Sequence, residues 1–178
     1  MKIFITIILG TFLNTLVYSG NIPTADVVGI AINAGSFKTL LAAVKVAKLE
    51  GLLRGAGPLT VFAPTDNAFA KLPSDVLQSL LNNPTALRKL ILGHVVAGKE
   101  IRISSLRSAA IFSSNGHRGG PYPFLSMASG QVEHLSCGDE KLFCKIGKSN
   151  YVATNIQASN GIIQVIDTVL SPLDLVTK

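Results

Sequence analysis

Apolar residues recur at three- and four-residue steps through most of the first hundred positions of this chain, then give way to short apolar runs broken by Gly, Ser and Asn. Thr24 can cap a short helix whose apolar face is Val27, Ile30, Ala31 and Ala34, and Gly35 ends it by accepting the left-handed conformation. Ser36 is placed to cap a longer helix with the stripe Phe37, Leu40, Leu41, Val44 and Ala47, leaving Lys38, Lys45 and Lys48 to face water. Gly55-Ala56-Gly57-Pro58 breaks the chain, and Leu59-Thr60-Val61-Phe62-Ala63 predicts a short buried strand. Thr65 or Asp66 can cap the helical turn that carries Ala68 and Phe69, and Pro73 ends that turn. A further helix capped by Ser74 has Val76, Leu77, Leu80 and Leu81 as its apolar positions. Asn83-Pro84 starts the last one, with proline at the first helical position. It sets Leu87, Leu90, Ile91 and His94 on one face, so the imidazole is predicted to be buried with the leucines.

From Val95 the spacing predicts strands, at 100–103, 110–112, 124–127, 131–135, 142–146, 151–156 and 162–169. Cys137 and Cys144 flank Gly138-Asp139-Glu140, which suits a hairpin turn. No repeat is present at any period, which excludes a solenoid. Helices first and strands afterwards predict an α+β fold.

The 178 residues suit one domain, and 48% apolar content is enough to bury a core and excludes disorder. Met1-Lys2 followed by an apolar run to Val17 suits an export signal, with Val17 and Ser19 small enough for cleavage after Ser19. The expected organisation is a signal peptide over 1–19 and a single domain over 20–178. An uncleaved anchor fits the same segment, although it is short for a bilayer span. The tail from Ser171 to Lys178 lacks the apolar run of a lipid-anchor signal, so the remaining chain is expected to be soluble and secreted, or periplasmic in a bacterium.

Export changes how the cysteines are read. In an oxidising compartment an even pair predicts a Cys137–Cys144 disulfide, stabilising the fold by roughly 2–3 kcal/mol. His134 nearby allows a zinc site, but compartment favours the disulfide. Net charge is +6, and +5 once Lys2 leaves with the signal. Such a balance favours acidic polysaccharide, phospholipid or cell surfaces over nucleic acid, which an exported protein rarely meets. Arg54, Arg88, Lys89, Arg102, Arg107, Arg118, Lys141, Lys145 and Lys148 are scattered in sequence, which fits an ordinary solvated surface equally well.

Three segments together resemble one family. Gly57-Pro58-Leu59-Thr60-Val61-Phe62-Ala63-Pro64-Thr65-Asp66-Asn67-Ala68-Phe69 resembles the first signature box of fasciclin-like domains, and the segment from Asn160-Gly161-Ile162-Ile163 to Leu170 resembles the second. Leu92-Gly93-His94-Val95-Val96-Ala97-Gly98 matches the histidine segment between them. Ala25-Asp26-Val27-Val28 and Ala34-Gly35-Ser36-Phe37-Lys38-Thr39-Leu40 agree as well, so order and spacing fit from about Thr24 to Pro172. The resemblance implies helices packed on a wedge of antiparallel strands, the two boxes lying as neighbouring strands, and a role in cell or matrix adhesion without catalysis.

The resemblance also implies where a partner would bind. In fasciclin-like domains a Tyr-His pair with flanking branched aliphatics is linked to integrin binding, which nominates His94, Val95 and Val96; Gly93 stands at the tyrosine position. Some relatives carry an Asp-Ile pair before the second box, and Asn155-Ile156 occupies it here. A neutral amide cannot complete the metal site that an acidic integrin ligand completes. The stretch 113–149 departs most from the family, and its loop offers Arg118 and Tyr122 as further contacts or is simply a tolerated insertion. The expected partner is a cell-surface receptor or matrix protein. An acidic polysaccharide bound through the basic face, or self-association into a matrix component, are the alternatives. No nucleophile elbow, phosphate loop or paired-histidine metal motif is present, and His94, His117 and His134 are far apart in sequence. Neither catalysis nor a cofactor or metal is expected.

Overall fold

Two largely apolar runs, each holding a single polar side chain, form strands covered on both faces at the centre of the protein. In the computed structural model, which describes residues 23–103, 105, 124–137 and 144–170, β1 (Leu59–Pro64) and β7 (Gly161–Ile166) are buried at every position. They pair with Val61 opposite Ile163, so the two boxes are neighbours as expected. The pair is parallel, whereas the other five pairings in the sheet are antiparallel. With β2 (Val95–Ala97), β3 (Phe124–Ser126), β4 (Val132–Cys137), β5 (Cys144–Ile146) and β6 (Ser149–Ala158), the sheet order is β2-β1-β7-β6-β5-β4-β3.

Side-chain alternation divides the interior. Leu59, Val61, Ala63, Ile163 and Val165 face a helical layer of α1 (Val27–Ala34), α2 (Lys38–Val46), α3 (Glu50–Leu53), α4 (Asp66–Ala70), α5 (Ser74–Leu81) and α6 (Pro84–Leu92). Phe62 and Ile166 face the other way, into a second core with Val96, Leu125, Met127, Leu135, Ile146 and Leu170. The sheet curls so that its two ends meet: Ala128 N–H, beyond β3, donates to Val95 O of β2 at 2.7 Å.

Helix starts differ from the sequence expectation. Asp26, not Thr24, caps α1, its Oδ1 accepting from Gly29 N–H at 2.7 Å. Ser36 does not cap α2; its hydroxyl donates to Ala34 O. The cap comes from 28 residues away, where Asp66 accepts from Lys38 and Thr39 N–H at 3.2 and 2.7 Å. Burial works to raise the Asp66 pKa, but these bonds and the Lys38 charge outweigh it and hold it below the usual value. Thr65 caps α4, leaving Asp66 free for this second helix. Pro73 rather than Ser74 precedes α5, while Gly35, Asn83 and Pro84 sit where they were expected.

The expected strand at 100–103 is instead a strap across the second face of the sheet, held by side chains. Thr60 Oγ1 donates to Lys99 O and accepts from Ile101 N–H. Gln164 Nε2 donates to Ile101 O, and Asn155 Oδ1 accepts from Ile103 N–H. Thr60 and Gln164 are fully buried, so these bonds satisfy groups that would otherwise be stranded in an apolar strand pair. The expected strand at 110–112 lies outside the described residues, as does the turn between Cys137 and Cys144.

Candidate functional site

The histidine segment starts where α6 ends. Leu87, Leu90 and Ile91 anchor that helix in the main core, and the next turn carries His94 inward, leaving it 1% exposed. Its Nδ1 lies 2.9 Å from Leu90 O, and Leu170 N–H donates to its Nε2 at 2.9 Å. A carbonyl can only accept and an amide N–H can only donate, so the ring is the neutral tautomer with its proton on Nδ1. Burial drives its pKa down to about 4, against a smaller opposing effect of the Leu90 bond. Val95 and Val96 are buried too. All three face the interior, and the ring clamps the end of α6 to the chain beyond β7.

The space beside Gly93, at the family's tyrosine position, is taken by Gln131. A Cβ there would lie 2.6 Å from Gln131 Oε1, because the β3–β4 turn has folded over this position. Ser129 holds that amide oxygen from its hydroxyl at 3.0 Å.

Asn155 occupies an irregular stretch of β6, between register shifts, with φ of 59°. Asn tolerates this left-handed conformation better than most residues. Its Oδ1 accepts from Ile103 N–H and from Gln164 Nε2, both at 3.1 Å, while its own N–H donates to Gln164 Oε1 at 2.9 Å. Asn155 is therefore the outer end of the network that fixes the strap, and Ile156 packs half-buried against the main core. Sequence reasoning passed over Gln164 and Thr60 in this network. Their signal was available, as polar side chains within runs that are otherwise continuously apolar.

Asp167, a carboxylate at the end of an apolar strand, is satisfied by both a backbone N–H and a hydroxyl. Its carboxylate accepts from Asn150 N–H and Nδ2 and from Thr168 Oγ1, each at 2.9 Å, with Lys71 Nζ at 3.6 Å. Burial opposes ionisation, yet the Asn150 and Thr168 bonds and the Lys71 charge hold its pKa down to about 2. The β4–β5 register places Cys137 opposite Cys144. Arg118, Tyr122 and the 1–19 segment lie outside the described residues.

Among the described residues no three His, Cys, Asp or Glu side chains come together to hold a metal ion, and no helix is long and apolar enough to cross a membrane. Large exposed apolar side chains among the described residues are Ile32, Val46 and Leu52 on the helices and Phe124, Val132 and Val152 on β3, β4 and β6. Phe124 sits edge-on to the His134 ring at 5.3 Å.

Comparison with known proteins agrees with this architecture. A family model described as the Fasciclin domain matches residues 35–172. Protein sll1483 of Synechocystis is 36% identical over 148 residues, 82% of this chain and 73% of that protein. Transforming growth factor-beta-induced protein ig-h3 of Sus scrofa is 31% identical over 137 residues, 77% of this chain but 18% of that longer protein. A FAS1 domain pair from the insect cell adhesion molecule Fasciclin I superposes with a TM-score of 0.69 at 18% identity, covering 87% of this chain and 53% of the pair. With its two boxes paired and the match spanning most of its length, the chain belongs to the fasciclin domain family.

Proposed function

We propose that this chain is an exported, non-catalytic binding module that attaches to a cell-surface or matrix component. The supporting observation is how the polar residues of the family segments are used. Thr65, Asp66, His94, Asn155, Gln164 and Asp167 all direct hydrogen bonds to backbone groups of this chain. Groups committed in this way hold the fold and are not themselves free to serve as a nucleophile–base pair. The adhesion role comes from the family, through relatives such as the cell adhesion molecule Fasciclin I.

Burial of His94, Val95 and Val96 favours a contact elsewhere on the surface. Asn155 keeps a half-exposed position, and Arg118 and Tyr122 stay candidates from sequence. The N-terminal apolar segment supports export, and export supports a disulfide between Cys137 and Cys144. Directly opposed residues of an antiparallel pair lie about 4.5–5.5 Å apart at Cα, within the span of that bond.

Attachment of cells to surfaces coated with the full chain tests the reading. Attachment should rise to saturation with coating density and fall when soluble chain is added as competitor. Attachment no greater than on an albumin-coated surface would overturn it.

A further inference from the structure

Two stretches of the sequence are free of acidic residues: 27–49, with Lys38, Lys45 and Lys48, and 76–99, with Arg88, Lys89 and Lys99. The fold packs them together, because α2 and α6 lie side by side in the helical layer. Between the end of α2 and the start of α6 is a cleft of about 380 Å³ lined by Val46, Ala47, Lys48, Pro84, Thr85 and Arg88. Lys38 is drawn to Asp66 at the far end of α2. Ion pairs among the described residues join Arg54 to Asp26, Lys71 to Asp167 and Arg102 to Glu100. None involves Lys45, Lys48, Arg88 or Lys89, and all four are exposed.

The backbone at Lys48 is an independent sign that this lysine has a use. Ala47 ends α2; Lys48 N–H bonds Lys45 O at 3.1 Å and Leu49 N–H bonds Val44 O at 3.0 Å, the paired pattern that closes a helix with one left-handed residue. Buried Leu49 and Val44 supply its usual apolar contact. Glycine is the residue that fits such a position, yet here it is lysine with φ of 55°. A cation near the carbonyl end of a helix is favourable, but Lys45 already provides one within the last turn. Arg88 is oriented as well, its Nη1 donating to Ala47 O at 3.3 Å, which turns the guanidinium across the cleft mouth.

We propose that the α2–α6 cleft docks the sulfate or carboxylate groups of an acidic polysaccharide, with Lys48 and Arg88 as contacts and Lys45 and Lys89 as flanking charges. This rests on the binding-module reading and names the partner's chemistry. Charge complementarity requires an anion, and the shape favours a sugar chain. A substituent on a flexible polysaccharide can enter a concave site whose apolar walls, Val46, Ala47 and Pro84, pack against the ring. The flat headgroup layer of a membrane would meet only the rim.

The test compares the full chain with a Lys48→Gly, Arg88→Gln double variant on a heparin column and by titration. Glutamine gives up one long bond, 3.3 Å from Arg88 Nη1 to Ala47 O, from an exposed side chain, and glycine relieves the left-handed backbone, so the variant should melt within a few degrees of the parent. Its dissociation constant for heparin should rise about tenfold at low salt, the loss of two exposed charge contacts, with elution at lower salt. A Lys145→Gln, Lys148→Gln variant removes equal charge from β5 and the turn after it and should change binding less than threefold. Equal losses in the two variants would overturn the cleft while leaving a basic binding module. Failure of the parent to bind heparin, or preference for phosphatidylserine vesicles over heparin, would overturn the polysaccharide proposal. Cell attachment, measured separately, decides the underlying reading.

Discussion

The β1–β7 pair and the outer strands β3 to β5 belong to one sheet but are held in place by different means. Along β1 and β7 every residue is buried and backbone meets backbone, so that a Cβ on Gly57 would lie 2.0 Å from Asn160 O and one on Gly161 2.1 Å from Leu59 O. Asn160 adds a clasp, its side chain accepting from Val27 N–H and donating to Leu53 and Gly55 carbonyls. Strands β3 and β5 bury alternate residues only, and Gly130 in the β3–β4 turn has open space around it. The centre is thus specified by close main-chain fit, which leaves little room for change. The outer strands are specified by alternation, set Cys137 opposite Cys144, and carry the exposed Phe124 and Val132.

The largest effect should follow from breaking the central fit. Gly161→Ala forces a methyl group into the Leu59 carbonyl, and neither strand can retreat because helices cover one face and the strap the other. Loss of at least about 4 kcal/mol, or failure to fold, is expected by denaturant unfolding. Gly130→Ala has room but a left-handed backbone (φ of 83°), so about 1 kcal/mol is expected. Comparable losses at the two glycines would remove the distinction between the regions.

Acid should find the joint between them. His94 links α6 to Leu170 of the second core, and its pKa is about 4 in the folded chain against 6.5 in the unfolded one. Between those values only the unfolded chain takes up the proton, so stability is full above about pH 6.5 and falls by about 3 kcal/mol as pH drops toward 4. Asp167, held at about 2, extends the loss below its ordinary value of 3.8. His94→Ala should flatten the upper part of this profile while lowering stability at pH 7 by about 3 kcal/mol, since Leu170 N–H and Leu90 O lose their partner and a cavity opens. Unfolding free energies measured from pH 4 to 8 check both statements. A parental profile that is level over that range would show that the ring is not held neutral by burial.

Replacing both cysteines with serine should come next. If the pair is bonded, the short ring contributes about 2 kcal/mol, and the loss should concentrate in the outer strands. Native-state hydrogen exchange should then show faster exchange in β4 and β5 with β1 and β7 little changed. Acceleration spread evenly over the sheet would mean that the two regions unfold as one.

Legibility in the sequence follows the same division. The mainly apolar runs at 59–63 and 162–169 announced strands that are found at Leu59–Pro64 and Gly161–Ile166, and the family segments announced that they are neighbours. Direction of pairing was not legible, because alternation within a strand carries no information about which way its partner runs. Asp66 was recognised as a cap but for the wrong helix, since its partners at Lys38 and Thr39 are distant in sequence. The 100–103 segment has strand composition, yet its backbone bonds Thr60, Gln164 and Asn155 side chains, which only the tertiary arrangement provides. Burial of His94 was legible from helical spacing. The α2–α6 cleft was not, because Lys48 and Arg88 are 40 positions apart and look scattered until the helices pack.

The smallest expected effect concerns Asn155, where the central network reaches the surface. Only its amide oxygen accepts from Ile103 N–H and Gln164 Nε2, and a carboxylate oxygen can accept the same two bonds. Aspartate also tolerates the left-handed backbone, so Asn155→Asp should change stability by less than about 1 kcal/mol at pH 7. Arg102 already bonds both Glu100 and Gln157 nearby, which gives the new charge a cation in its neighbourhood. With the fold unchanged, cell attachment becomes an informative readout: a carboxylate at 155 should strengthen it if the surface is read by an integrin that needs an acidic ligand group. Unchanged attachment with an intact melt would remove this position from recognition and leave the helical face and the Arg118 and Tyr122 segment as the surfaces to test.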